Sequence, residues 1–124
     1  MIQLSLLDAL RTPLVIQPVA PHGEVIQGRA DESFVLPHPR LAWPLAQIDL
    51  HKHIDGMWMW GVKFSADHHG GGYRVGPKWG KFAATRDDAL FYAARELRAN
   101  LDGDTGSSAL KIRVWLASIA PEAA

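Results

Sequence analysis

Proline is concentrated in one part of this chain, and that concentration limits the fold more than any other feature. Six of the eight prolines lie between Pro13 and Pro44. Each proline removes a backbone donor and fixes one dihedral, so neither a long helix nor a central strand can run through this segment. Apolar stretches recur between the prolines. Residues 13–44 are therefore predicted to form an extended arm that packs on the domain and supplies one or two short edge strands, for which Glu24–Gln27 and Ser33–Leu36 are the best candidates.

A strand pattern begins after the arm. From Ala46 to His51 apolar and polar residues alternate, which is the period of a half-buried strand. The Asp55-Gly56 pair that follows is a favoured hairpin turn. The next stretch, MWMWGVKF (57–64), places its two tryptophans on one face, predicted to lie against a helix, and Lys63 on the other. With Tyr73–Val75 as a third strand, the expected sheet is an antiparallel meander of 46–53, 57–64 and 73–75.

The period becomes helical after the sheet. Apolar residues recur at helical spacing along residues 86–100, and Thr85 with Asp88 three residues later is typical of a helix N-terminus. The last segment, 109–120, fits two structures. Strict alternation favours a strand, whereas a preceding serine, flanking alanines and the following Pro121 favour a shorter helix. The preferred fold is α+β: a three-stranded meander packed by the long helix and a shorter C-terminal helix. A proline-rich N-terminal arm precedes these elements in the chain.

Composition and charge exclude several classes of protein. The 124 residues suffice for one core, and three parts are predicted: a tip (1–12), the arm (13–44) and a core domain (45–120). With 13 basic and 13 acidic residues, no overall field attracts a polyanion. The absence of cysteine excludes disulfides, thiolate zinc sites and cysteine nucleophiles. No apolar run could span a bilayer and no secretory signal is recognisable, so we expect a cytoplasmic protein without membrane contact.

Basic and aromatic residues are interleaved in YRVGPKWGKF (73–82). No acidic residue occurs between Asp67 and Asp87. Since cations neutralise phosphates and aromatic faces stack on bases, this mixture favours a nucleic-acid surface. The alternative is that the aromatic residues complete the core while the cations remain in solvent. The candidate residues for binding nucleic acid or another partner are Tyr73, Arg74, Lys78, Trp79, Lys81 and Arg86.

The tip contains the pentapeptide Gln3-Leu4-Ser5-Leu6-Leu7. It resembles the motif Gln-Leu-Ser/Asp-Leu-Phe, with which many bacterial replication and repair proteins bind the sliding clamp. The resemblance implies that Gln3 hydrogen-bonds the clamp and that Leu4 of this chain also belongs to the docking segment. It also implies that Leu6 and Leu7 fill an apolar pocket, although Leu7 replaces the phenylalanine of the motif and buries less area. The alternative is an N-terminal amphipathic helix whose leucines lie in the core.

A longer stretch, GYRVGPKWGKFAATRDDALFYAARELR (72–98), also carries a resemblance. It is similar to a segment of small uncharacterised accessory proteins of plasmids and integrative elements, often encoded near partitioning or replication functions. The resemblance implies a DNA-associated accessory role in a bacterium and assigns a function to no single residue.

Histidines form the remaining candidate site. His51 and His53 are two residues apart on a predicted strand, so their side chains share a face, as metal ligands often do. No recognised zinc spacing accompanies them, and solvent-exposed histidines are the simpler interpretation. Catalytic motifs are otherwise missing. The triple glycine at 70–72 precedes a strand and not a helix, so it is not a phosphate-binding loop.

Three functions are therefore predicted, in order of preference. The first is a non-enzymatic binding module in the DNA metabolism of a mobile genetic element, which needs no cofactor. It would contact nucleic acid weakly through the basic and aromatic residues, and a sliding clamp through its tip. The second is a small inhibitor or adaptor that binds a host protein or one encoded by the element. The third is a metal-dependent enzyme that uses His51 and His53.

Overall fold

Six strands and two α-helices occur along residues 15–20 and 23–120, which are the residues that the computed structural model describes. The strands are β1 (Val15–Ile16), β2 (Glu32–Leu36), β3 (Ala46–Lys52), β4 (Trp58–Ser65), β5 (Gly70–Gly72) and β6 (Lys81–Phe82). The helices are α1 (Arg86–Asn100) and α2 (Ser107–Ile119), and one turn of 3₁₀ helix spans Pro77–Trp79. Neither described α-helix is long and apolar enough to cross a membrane.

The main sheet is antiparallel and has the strand order β2-β3-β4-β5. In the central hairpin Leu50 pairs with Trp60, and the arm strand β2 pairs Phe34 with Ile48 of β3. The short strands β1 and β6 form a separate antiparallel pair. The predicted α+β class is confirmed, and so is the edge strand expected near Ser33–Leu36.

The main core lies between this sheet and the helices. Ile48, Leu50 and Trp60 are buried on the side of the sheet that α1 covers, as the alternating pattern predicts. The Trp60 ring stacks on Tyr92 of α1 at a centroid distance of 5.8 Å. Helix α1 has the bounds expected from the sequence, and the Thr85 hydroxyl caps it by accepting a hydrogen bond from the Asp88 N–H in the first turn at 3.1 Å.

The C-terminal segment is a helix, which decides between the two predicted alternatives. Ile112 and Leu116 are fully buried, whereas Val114 is 64% exposed. A strand would place these three residues on one face, but in a helix only Ile112 and Leu116 share a face. The Arg113 guanidinium donates to the carbonyl of Leu101, and so ties α2 to the end of α1.

The predicted antiparallel meander is confirmed, but its third strand is β5, which consists of glycines, so the expected bounds Tyr73–Val75 are wrong. Residues 73–75 instead cross β4 at Gly61, where an added Cβ would lie 2.6 Å from the Val75 nitrogen. In β5, Gly72 has φ +154° and lies so close to β4 that a Cβ would approach the Val62 oxygen to 2.4 Å. Aromatic and β-branched residues favour strands in general. Here the backbone approach to β4 decides the pairing, and it requires glycine.

The strand predicted at Glu24–Gln27 is also wrong. The Ile26 N–H donates to the Val75 oxygen at 2.8 Å and the Lys78 N–H donates to the Glu24 oxygen at 3.3 Å, but no ladder continues from these bonds. The side chains of this part of the arm pack instead on a second, smaller core. That core comprises Met59, Val75 and Phe82, with Ile26, Ala30 and Met57 packed against it.

The second core covers only part of the sheet. We call the sheet surface opposite the helices the back face; on β4 it carries Met59, Gly61 and Lys63. Met59 is buried beneath the arm, whereas Lys63 is exposed. The back face is therefore covered at one end and open at the other. The open half is the part around Lys63.

Candidate nucleic-acid interface

Tyr73 and Lys81 belong to a partly buried network centred on Glu96 of α1. The Glu96 carboxylate accepts hydrogen bonds from the Tyr73 hydroxyl at 2.5 Å and from the Lys81 ammonium at 3.0 Å. The buried Trp60 indole N–H donates to the second carboxylate oxygen. Lys81 also lies 4.9 Å above the Tyr73 ring centroid. The Lys81 charge is thus compensated within the protein, and these two predicted binding residues fasten the 73–82 segment to α1.

The environment of Tyr73 does not suit a catalytic role. Burial of the side chain, and then the hydrogen bond and negative charge of Glu96, raise the pKa of Tyr73 well above the ordinary 10.0. The hydroxyl therefore keeps its proton at neutral pH and donates a hydrogen bond to the Glu96 carboxylate. A tyrosine that acts as a base or nucleophile needs the opposite shift.

Arg86, another of the predicted binding residues, is held by two carboxylates. Its Nε and one terminal nitrogen each donate to a Glu32 carboxylate oxygen at 2.7 Å, and the other terminal nitrogen donates to Asp87 at 2.8 Å. The hydrogen bonds that Glu32 accepts from Arg86 lower the pKa of the Glu32 carboxyl. The guanidinium also lies 5.5 Å from the Phe34 ring centroid. Arg86 therefore joins the start of α1 to β2, and its charge is compensated like that of Lys81.

Trp79 and Lys78 form a stacked unit on the 3₁₀ turn. The Trp79 indole N–H donates to the Arg74 carbonyl at 2.7 Å, and its ring lies 5.1 Å from the Tyr73 ring. The Lys78 ammonium lies 4.7 Å above the Trp79 ring. Since the indole N–H is hydrogen-bonded and the ring contacts both Tyr73 and Lys78, Trp79 organises this loop and fixes the backbone of Arg74.

Arg74 lies at the open half of the back face, where two adjoining concavities share it with Lys63. The larger has a volume of about 700 Å³ and extends past Trp43 to the glycines of β5. The smaller has a volume of about 180 Å³ and extends past Arg29 to Asp49. The structure thus brings Arg74 together with three residues outside the predicted set, whereas Arg86 lines neither concavity.

Cations exceed carboxylates along this surface. The smaller concavity is lined by three cations, Arg29, Lys63 and Arg74, against the single carboxylate of Asp49. Within residues 15–20 and 23–120, none of these three cations forms an ion pair. The Asp49 carboxylate accepts hydrogen bonds from two neutral donors, the Ser33 hydroxyl at 2.6 Å and the side-chain amide of Gln47 at 2.8 Å. The cations therefore remain available to a bound anion.

The histidines predicted as metal ligands have separate partners. His51 Nδ1 accepts the Asp31 N–H at 3.2 Å, while His53 Nδ1 lies 3.0 Å from an Asp55 carboxylate oxygen. Strand β3 ends at Lys52, so His53 already belongs to the turn. Across the described part of the chain, no three or more His, Cys, Asp or Glu side chains are grouped so that they could hold a metal ion.

The predicted clamp-docking residues, Gln3, Leu4, Leu6 and Leu7, lie outside the described residues. Clamp docking through the tip therefore stays a prediction.

Three residues of the concave surface were missed by the sequence reasoning: Arg29, Trp43 and Lys63. A signal existed for Lys63, because strand alternation places it opposite the two tryptophans of β4. No local signal existed for Arg29 and Trp43. Both belong to the proline-rich arm, whose path depends on tertiary contacts such as the bond between Ile26 and Val75.

Comparison with known proteins adds no precedent for this site: no family model matches the chain, no curated protein matches its sequence, and no solved structure matches its fold.

Proposed function

We propose that this chain is a non-enzymatic nucleic-acid-binding module that holds phosphates on the open half of its back face. The observation that carries the proposal is the contrast between two sets of cations. Lys81 and Arg86 are each held by carboxylates. Arg29, Lys63 and Arg74 surround a concave surface and form no ion pair among the described residues. Cations that line a concave surface without internal partners are suited to bind phosphate.

Three cations make a small electrostatic footprint, so the proposed binding is weak and depends strongly on salt. Each phosphate neutralised on a single strand contributes roughly −0.7 to the slope of log K against log salt concentration, which gives a slope of roughly −2 for three phosphates. A zero net charge fits such a local site better than it fits a protein that coats DNA.

The proposed setting is the DNA metabolism of a bacterial mobile genetic element, in the cytoplasm. Its support is the resemblance of residues 72–98 to accessory proteins of plasmids and integrative elements. That segment includes Arg74 and the loop that positions it.

The test is fluorescence anisotropy of a labelled oligonucleotide across a salt series with two matched pairs of variants. Arg74→Gln is paired with Arg86→Gln, and Lys63→Gln with Lys111→Gln on the exposed side of α2. The first member of each pair should weaken binding and reduce the salt slope by roughly 0.7, whereas the second should change neither. Equal effects within each pair, or no binding by the wild-type protein at low salt, would overturn the proposal.

Binding of another protein is a second candidate function, favoured by an apolar groove between α2 and the segment that follows β2. The groove has a volume of about 560 Å³ and is lined mainly by apolar side chains, including Leu110 and Val114. These two are 60% and 64% exposed. The partner expected from the sequence is the sliding clamp. Purified clamp should bind the labelled chain, and Leu6→Ala with Leu7→Ala should abolish binding if the tip docks, whereas Val114→Glu should abolish it if the groove docks.

A further inference from the structure

We infer that the open half of the back face takes single-stranded nucleic acid in preference to duplex, with Trp43 as the platform on which a base stacks. The inference rests on the proposed function and adds the strand state of the ligand and a residue for the base. It is carried by the exposure of Trp43, by its position beside the free cations, and by the elements on which those cations lie.

Trp43 differs from the rest of the tryptophans. The others are engaged inside the protein, by hydrogen bonds or by packing on the main core: Trp58, Trp60, Trp79 and Trp115. Trp43 is 55% exposed, and among the described residues it has neither a hydrogen bond nor a ring contact. Its indole face is therefore available to a ligand.

Trp43 lines the same concavity as Lys63 and Arg74. The concavity has a volume of about 700 Å³, which is ample for a nucleobase and part of the attached sugar-phosphate backbone. An exposed aromatic face beside cations is the combination that proteins use to hold a single strand, because each base stacks while its phosphate is neutralised. In a duplex the base faces are covered by their neighbours, so Trp43 would have nothing to stack on.

The cations also lie on the wrong elements for reading a duplex. Recognition of duplex DNA usually places a helix in the major groove. Here Arg29 belongs to the arm, Lys63 to β4 and Arg74 to the segment after β5, all opposite the helices. The exposed residues of α2 include Leu110 and Val114, which offer no donor to a phosphate or a base edge, and a single exposed cation, Lys111.

The wall between Trp43 and Arg74 is suited to close approach by a flat ligand. It is formed by β5, whose three glycines are exposed and carry no side chains. This strand is the outermost of the sheet on that side. A base stacked on the indole can therefore lie near the backbone of β5 without meeting a side chain from that strand.

The experiment compares a labelled oligothymidylate with a hairpin duplex of the same number of phosphates, at one low salt concentration, on the full chain. The single strand should bind at least about tenfold more tightly, and its binding should quench tryptophan fluorescence. Trp43→Ala should weaken single-strand binding about fivefold or more while leaving duplex binding and the salt slope unchanged. Trp43→Phe should keep most of the affinity, and the neighbouring Leu41→Ala, which is also exposed, serves as the control.

The outcomes separate this inference from the proposed function. Equal or tighter binding of the duplex overturns the inference and leaves the proposed function intact. The same holds if Trp43→Ala has no effect while Arg74→Gln still weakens binding. If neither nucleic acid binds, the proposed function fails and the inference fails with it.

Discussion

The indole N–H of Trp79 donates a hydrogen bond of 2.7 Å to the backbone carbonyl of Arg74. It joins the 3₁₀ turn to the segment that crosses β4, and so fixes the backbone from which the Arg74 side chain reaches the open half of the back face. Trp79 is in this account a positioning residue for the phosphate site. Its ring is occupied by Tyr73 and Lys78, not by a base.

Removing that hydrogen bond should separate positioning from stacking. Trp79→Phe keeps an aromatic ring beside Tyr73 but loses the donor, so we expect a loss of about 0.5–1.5 kcal/mol in the free energy of unfolding. Oligonucleotide affinity should fall, and the salt slope should fall with it because Arg74 is less well placed. Urea unfolding and anisotropy measure the two effects. A lower affinity with an unchanged salt slope would mean that Trp79 itself stacks on the ligand.

The crossing at Gly61 should be intolerant of any side chain. In Gly61→Ala the new methyl group would lie 2.6 Å from the Val75 nitrogen and 2.8 Å from the Tyr73 oxygen, both backbone atoms that cannot simply rotate away. We expect a loss of about 1–3 kcal/mol in the free energy of unfolding.

Gly71→Ala is the matched control for that substitution. Its Cβ would meet only the Phe64 side chain, at 3.9 Å, so unfolding should change by less than about 0.5 kcal/mol. Equal losses for the two variants in urea unfolding would contradict the crossing of residues 73–75 over β4.

The two structures that the sequence allowed for 109–120 differ in which residues they bury. Ile112→Ala should cost about 2–5 kcal/mol because its side chain is fully buried against the core. Val114→Ala should cost less than about 0.5 kcal/mol because Val114 faces solvent. Thermal and urea unfolding of the two variants measure this difference. Similar costs at both positions would be the signature of a strand and would refute α2.

Stability should fall at alkaline pH because of Tyr73. Its pKa is raised in the folded protein, so above the ordinary 10.0 the unfolded chain has released a proton that the folded chain still holds. The unfolded state then binds fewer protons, and the free energy of unfolding decreases as pH rises further. The stabilisation that the protonated Tyr73 hydroxyl contributes is fully present below the ordinary pKa of 10.0. The stability difference between wild type and Tyr73→Phe should therefore shrink in urea titrations above it. A constant difference would show that Tyr73 titrates normally in the folded state.

The sequence predicts the parts of the fold that depend on local periodicity. The β3–β4 hairpin follows from strict alternation around a favoured turn, and α1 from helical spacing after a capped start. The sequence misplaces the third strand of the meander, because the strand is formed by the three glycines of β5. Their pairing depends on how closely the chain can approach β4, and no local propensity records that distance.

The candidate site is predictable only in part, for a related reason. The interleaving of basic and aromatic residues predicts a binding role for the segment that contains Arg74. It could not reveal that Glu96 and Glu32 compensate Lys81 and Arg86, because these carboxylates are distant in sequence. The sequence also does not predict that Trp43 lies on this surface, because contacts with residues far along the chain determine the path of the arm.

The most direct test of the account is to map the nucleic-acid contact on the folded chain. Amide resonances of the ¹⁵N-labelled protein would be followed by NMR while oligothymidylate is added at low salt. We expect shifts concentrated at Arg29, Lys63, Arg74 and the glycines of β5, together with the indole N–H of Trp43, while the amides of α2 stay unchanged. Shifts centred on α2 or around Arg86, or no shifts at any concentration, would contradict it.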